Sequence, residues 1–409
     1  MASDDIVAET AKRIFSDLCD PQTINRAADT GWKAPAWAAL EEAGLPLAWV
    51  PDDLGGAGAG LAEGFAVVRE AGRFAAPLPV TETLLAGWLL TQAGVSAPAG
   101  PMSCGPTRDG DQVTLAKSGS LTGRLRAIPF ANEAKHLALL ARREGGGAVI
   151  ALVETAAARV ADGTSIAGDA LNAVTLEGVR PVAVKDAPAG IDSDALLLMG
   201  AVVRSMQMAG ALEAILDASV SYATERVAFG RPIAKFQAVQ HNLARLAGEV
   251  AAAVAAAGSA ADAIATGFPS PHAGGVSSTR RGGVRGGGNP DGQRSAIPPS
   301  LSLPHVVSET RLRRDGGGDA ETHAFDEGVF LEAAAAKIRV GEAAGEGAGI
   351  AHQVLGAIGF TREHTLHRFT QRLWAWRDDF GNESYWAVKL GAKVAAKGAD
   401  GLWPMLAAR

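Results

Sequence analysis

Ser221–Gln240 reads SYATERVAFGRPIAKFQAVQ. Its first residues close an amphipathic helix, Phe229-Gly230 and Pro232 make a turn, and a second helix opens near Ile233. Arg226 falls in the last turn of the first helix, where the negative end of the helix dipole favours a cation. Its planar fork of donors suits a pyrophosphate. Phe229 offers a flat ring, and Gly230 lets a backbone come close. Gln237 carries an amide able to pair with an adenine edge or a flavin amide. Together these groups suit a large, flat, anionic cofactor. Taken one at a time, they also read as a helix–turn–helix with a surface Arg–Glu pair.

Working outward, Met206–Thr224 and Ile233–Thr266 are expected as helices. In the second, Phe236, Val239, Leu243, Leu246, Val250 and Val254 form the stripe that a bundle helix buries. Glu332–Leu355, Leu366–Trp376 and Trp386–Lys397 continue the helical pattern, so residues 196–409 are expected to form a helical bundle. Residues 268–320 interrupt it with glycine clusters, prolines and arginines but no apolar period. Such a segment buries too little surface to offset its ordering entropy and reads as a disordered or loosely packed insert.

Residues 101–195 hold short apolar runs bounded by Gly, Asp or Pro: Gln112–Leu115, His136–Leu140, Ala148–Leu152, Val174–Leu176 and Val182–Val184. They are expected as strands of a small β-barrel or sandwich. Residues 1–100 are helical in pattern, with Trp37–Gly44 ending on a glycine suited to a C-cap. Pro51–Gly58 is a glycine-rich turn without the Gly-Lys-Ser/Thr of a phosphate loop.

The chain has 409 residues, 47% of them hydrophobic, which is enough for two or three domains with a large core. A net charge of −6 argues against nucleic acid as the main partner. The two cysteines, Cys19 and Cys104, make neither a disulfide framework nor a zinc site, and they fit a cytoplasmic setting. The N-terminus lacks the basic start and apolar run of a signal peptide. No stretch reads as long and uniformly apolar enough to span a bilayer. His364 and His367 lack a third ligand nearby and read as surface or subunit-contact residues. Trp374, Trp376 and Trp386 read as core or interface packing.

The opening stretch resembles the C-terminal signature of the acyl-CoA dehydrogenases, Tyr-x-x-x-Arg-x-x-Phe-Gly-x-x-Ile-x-x-Phe-Gln. Ala48–Gly58, AWVPDDLGGAG, is similar to the family's Pro-x-x-x-Gly-Gly-x-Gly segment. His352–Phe360, HQVLGAIGF, is similar to its Gln-x-x-Gly-Gly-x-Gly-Phe segment. The order is kept across nearly the whole chain apart from the insert. The resemblance implies a helical N-terminal domain, a small β middle domain and a C-terminal four-helix bundle. It implies FAD, an acyl-CoA substrate, an electron-transferring flavoprotein as acceptor, and a dimer of dimers. By similarity Arg226 meets the FAD diphosphate, and Phe229 and Gln237 meet its adenosine half. Gln353 and the Gly356–Ala357 backbone meet the FAD of a neighbouring subunit; Ala357 stands where the family has a second glycine.

Family chemistry needs a carboxylate to remove the α-proton of the thioester, usually the glutamate of a Glu-Gly-Thr segment. An ungapped count from Gly359-Phe360 puts Phe380-Gly381-Asn382 there. The other position used in the family falls on Ala253-Val254, again without an acid. The middle domain lacks a clear Trp-x-Thr flavin-facing segment. Asp378, Asp379 and Glu383 lie close by, and Asp379 is the one candidate for a displaced base. Surface pairing of these acids with Arg372 or Arg377 is the plainer expectation. Two readings follow. One is a self-sufficient homo-oligomer using Asp379. The favoured one is a base-lacking, FAD-binding subunit working with a homologous, base-carrying chain, as in bacterial heteromeric enzymes that act on sterol side chains or other bulky acyl groups.

Overall fold

The computed structural model describes residues 3–267 and 325–407, so the insert expected at 268–320 lies outside the described residues. Five helices come first: α1 (Ser3–Leu18), α2 (Pro21–Arg26), α3 (Lys33–Glu42), α4 (Leu61–Arg73) and α5 (Val80–Gln92). α2 starts on a side-chain cap, with the Asp20 carboxylate accepting from the Thr23 amide at 2.8 Å and Pro21 just inside. α3 stops ahead of Gly44, whose φ of 70° few other residues adopt. Every residue from Val80 to Leu90 in α5 is buried, which makes it the inner helix of this part.

The β region is one continuous eight-stranded sheet. It comprises β1 (Met102–Gly105), β2 (Gln112–Leu115), β3 (Leu121–Pro129), β4 (His136–Arg143), β5 (Ala148–Glu154), β6 (Arg159–Ala161), β7 (Leu171–Val179) and β8 (Ala183–Asp186). The order is β6-β7-β3-β2-β4-β5-β8, with β1 also on β4. Leu137, Leu139 and Ala141 of β4 pack into the sheet's own core, while Ala138 and Leu140 turn to the helical core with Met102 and Cys104 of β1. Burial on both faces explains why this strand reads as a continuous apolar run.

The helical remainder is α6 (Ser193–Glu225), a hairpin of β9 (Val227–Ala228) and β10 (Arg231–Pro232), α7 (Gln237–Gly267), α8 (Glu327–Leu355), α9 (Leu366–Asp378) and α10 (Glu383–Ala407). α6 begins well ahead of the expected Met206. Ala195–Leu212 is buried on all sides, so no polar face marks the helix in the sequence. Asp192 caps it, accepting from the Ala195 amide at 3.0 Å. In α7 the expected stripe is only partly right. Leu246 and Val250 are buried, but Phe236, Val239, Leu243 and Val254 are half-buried, and Ala253, Ala257, Ala260 and Ile264 complete the inward face. Alanines carry this contact, and a count of large residues misplaces it.

One expectation needs correction. α6 and α7 are long and apolar enough to cross a membrane by length and composition. Within the fold α6 is core, 94% of its most apolar window being buried, and α7 packs along α6 and α8. Its apolar character comes from alanines, whose small size hides the length of the run.

Candidate functional site

The end of β3, strand β1, helices α5 and α6, and the loop after α9 converge on one small cavity. Leu85, Ser103, Cys104, Val203, Arg204 and Phe380 are among the residues that close it. Its volume is about 10 Å³, room for at most one water. Phe380 forms part of its wall. The residue is 3% exposed, and its backbone has a φ of 55°, an uncommon conformation for a side chain of this size. Phe380 stands at the place counted from Gly359-Phe360 for the base, and the alternative place is equally apolar: Ala253 is buried and Val254 half-buried in α7.

Beside the ring lies a buried charge cluster that the sequence does not announce. Arg204, 2% exposed, pairs with Glu82 at 2.5 Å and with Asp379 at 3.1 Å, and a third donor reaches Gln207 Oε1. Desolvation alone would weaken the guanidinium's charge, but Glu82 and Asp379 outweigh it and hold its pKa above the ordinary value. Burial raises the pKa of the Glu82 carboxyl while Arg204 pulls it back, and its Oε2 has no hydrogen-bond partner among the described residues. A lone arginine in the apolar run LLLMGAVVRSM is the one signal for this cluster, since a buried guanidinium requires acids.

Asp379 is therefore not a free base. One oxygen faces Arg204 and the other faces Arg108 at 3.7 Å. The expected surface pairing is also corrected: Glu383 does pair with Arg377 at 2.6 Å, but Asp379 turns inward, and Arg372 pairs with Asp169 instead. Two lining hydroxyls are occupied as well. Ser103 Oγ donates to Pro129 O at 2.7 Å and Thr107 Oγ1 to Ala127 O at 2.5 Å.

The Ser221–Gln240 stretch is the opposite case. Arg226 is exposed at the end of α6 and makes no side-chain hydrogen bond or ion pair among the described residues. Phe229 is 95% exposed at the hairpin tip with φ 51°, and Gly230 follows with φ 77° and open space around it. The Phe229 ring sits 6.1 Å from that of Phe236, which Arg231 covers at 4.3 Å. Gln237 opens α7 and is exposed. At the end of α8, Gln353, Gly356 and Ala357 are exposed too. An unpaired guanidinium, a bare ring and free amides fit the diphosphate and adenosine half of FAD. The closed cavity does not fit the flavin end: it has room for at most one water, the Ser103 and Thr107 hydroxyls are spent on carbonyls, Pro129 has no N–H to offer, and of the lining hydroxyls only Thr81 Oγ1 is left without a partner among the described residues.

Near that second group, His352 stacks on Phe360 at 4.6 Å and on Trp374 at 6.2 Å, with Nε2 3.1 Å from Thr370 Oγ1. His364 Nδ1 accepts from the Leu366 amide, and His367 Nδ1 lies 2.8 Å from His364 O. Burial lowers the pKa of all three. Trp376 and Trp386 are core residues, whereas Trp374 is 37% exposed.

Residues 2–97 match the acyl-CoA dehydrogenase N-terminal domain and residues 193–278 the acyl-CoA dehydrogenase C-terminal domain. Acyl-CoA dehydrogenase IpdE2 of Mycobacterium tuberculosis is 30% identical over 251 residues, which cover 61% of this chain and 72% of that protein. The ChsE4-ChsE5 complex from Mycobacterium tuberculosis superposes with a TM-score of 0.73 at 19% identity, over 98% of this chain and 99% of that one. A single-substitution variant of the Tcur3481-Tcur3483 steroid ACAD gives 0.72 at 20% identity, over 97% and 98%. Both terminal domains match, a 30% identical relative aligns over most of its own length, and the order of helices, sheet and helices is shared, so the chain belongs to the acyl-CoA dehydrogenase family.

Proposed function

We propose that this chain is the base-lacking, FAD-binding subunit of a heteromeric acyl-CoA dehydrogenase. A homologous partner chain supplies the carboxylate that removes the α-proton of the acyl-CoA thioester. The observation that carries this reading is Phe380: a buried apolar ring stands at the base position, and the cavity it lines is only about 10 Å³. Neither proton transfer nor an acyl chain has a place there. FAD, when bound, supplies the hydride acceptor. This chain's part is to hold the diphosphate with Arg226, the adenosine half with Phe229 and Gln237, and the neighbouring cofactor with Gln353 and the Gly356–Ala357 backbone. All six positions face solvent in the single chain, as groups completed by another subunit would.

The relatives named for a two-chain complex and a steroid enzyme support a sterol side chain or another bulky acyl group as substrate. An electron-transferring flavoprotein takes the electrons onward, and the assembly is a dimer of dimers in the cytoplasm, where the buried free thiols of Cys19 and Cys104 are at home. The alternative, a homo-oligomer with Asp379 as its own base, is disfavoured by the two arginines on that carboxylate.

Expression alone and together with a homologous, glutamate-bearing chain tests the proposal, with the visible spectrum and acyl-CoA oxidation as readouts. The chain alone is expected to be colourless and inactive, and the pair yellow and active. A yellow, active homo-oligomer would sink the subunit reading.

A further inference from the structure

Lys337 is wholly buried in α8, in a stretch where Ala333, Ala334 and Ala336 are buried too. Burial lowers its pKa to about 8, and Arg204 on α6 acts in the same direction. Asp378 at the end of α9, Asp379 just after it and Glu383 on α10 oppose the shift. Its three donors meet three carbonyls: Arg377 O at 2.6 Å, Gly381 O at 2.8 Å and Trp376 O at 3.4 Å. Two of these belong to the last turn of α9, where Trp376 O also accepts from the Asp379 amide at 3.2 Å. The third belongs to the residue after Phe380.

The neighbouring groups of the loop are held as well. Trp386 Nε1 donates to Phe380 O at 3.0 Å, and Arg204 holds the Asp379 carboxylate. Phe380 and Gly381 are consecutive left-handed residues, with φ of 55° and 88°. That conformation is costly at a phenylalanine; at Phe229 the β9–β10 hairpin imposes it, whereas the loop at Phe380 has side chains to hold it. The Lys337 ammonium spans both flanks of the ring and ties the helix end to the far side of the loop.

We infer that Lys337 is the positioning residue that keeps the Phe380 ring in the cavity wall and so keeps the site shut. The role holds whether or not the chain works as a subunit, so this test and the co-expression test fail independently. Cys104 is the reporter, because it lines the cavity, is 2% exposed, and its thiol is pushed up by burial. Cys19, equally buried just past the end of α1, reports general loosening instead.

The experiment is alkylation of the folded full-length chain with iodoacetamide, read by peptide mass mapping as the Cys104:Cys19 rate ratio. Lys337→Met is expected to raise the ratio by about tenfold or more, because only the local opening is eased. Phe380→Ala, with Lys337 intact, is expected to raise it in the same way. Should methionine prevent folding, Lys337→Gln, whose amide ends one bond short of Nζ, is expected to raise the ratio as well. Equal acceleration of both cysteines, or an unchanged ratio in a folded Lys337 variant, would overturn the inference. A Phe380→Ala chain that leaves Cys104 protected would overturn it too.

Discussion

The Phe380 ring lies in the notch left by Gly200: a methyl group added to Gly200 would sit 2.2 Å from ring Cδ1. Gly200 is interior to α6, where helix propensity alone favours alanine by ~1 kcal/mol. Here the ring decides the sign. Gly200→Ala is expected to destabilise the chain by about 1–3 kcal/mol, the usual range for overpacking. Adding Phe380→Ala should recover part of that loss, because the two residues are in contact and their effects do not add. Denaturant unfolding of the two single variants and the double variant checks this.

Phe380→Glu is not expected to create a working base. The Arg204 guanidinium carbon lies 6.0 Å from the Phe380 ring centroid. A glutamate there would meet a buried cation and be held as its ion pair, and such pairing lowers basicity. No acyl-CoA turnover is expected from this variant of the isolated chain. Measurable turnover would show that the missing carboxylate is the sole defect.

How much of this is legible in the sequence follows from the kind of signal each part gives. The helix–hairpin–helix at Ser221–Gln240 and the place of Phe380 are readable because they rest on spacing along the chain. α6 reads short because Ala195–Leu212 is buried on every side and shows no period. β1, β3 and β6 are not among the expected strands. β1 is a four-residue strand, and polar Thr122, Arg124 and Arg126 break up the apolar pattern of β3. The partners of Asp379 escape the sequence for a different reason. Arg204 is 175 positions away, and only the packing of α6 against the loop after α9 brings them together. Lys337 is invisible likewise, since a lysine in a run of alanines ordinarily marks a solvated face.

Arg204 is expected to be among the costliest polar residues to remove. Arg204→Met leaves Glu82 and Asp379 buried without their cation, and breaking a buried pair on one side costs about 3–5 kcal/mol. Combining it with Glu82→Gln should reduce that cost, because one of the stranded charges goes with it. Chemical denaturation of wild type and the two variants measures both. Equal stability of Arg204→Met and wild type would mean that the cluster is far better hydrated than its burial suggests.

The lowered pKa of Lys337 has a signed consequence for stability. Burial brings the folded value to about 8, against ~10.4 in an unfolded chain. Between those values the unfolded state binds more protons, so this group's contribution to stability rises with pH from about 8 upward and levels off near the unfolded value. Below about pH 8 the cost of burying the charge is present in full. The difference in unfolding free energy between wild type and Lys337→Met should therefore move in favour of wild type as pH is raised from about 8 to about 10. A difference that stays flat across this window would place the folded pKa near its ordinary value.

Arg226 carries the last prediction, which separates what the chain holds from what it catalyses. The guanidinium is exposed and unpaired among the described residues, so removing it strands no acid and disturbs no packing. Stability of the isolated chain is expected to change little for that reason. In the assembled enzyme the same fork would meet the cofactor diphosphate, where a charge-assisted, bidentate contact matters much more than it does in water. Arg226→Ala is expected to weaken FAD retention by the assembly by roughly tenfold or more, and Arg226→Lys, which keeps the charge but loses the fork, by less. Flavin released on dilution, followed by fluorescence, measures it. If Arg226 serves only to retain the cofactor, activity should follow FAD occupancy: saturating FAD is expected to restore turnover to the Arg226→Ala assembly. Turnover that stays low at full occupancy would give Arg226 a part in the chemistry itself.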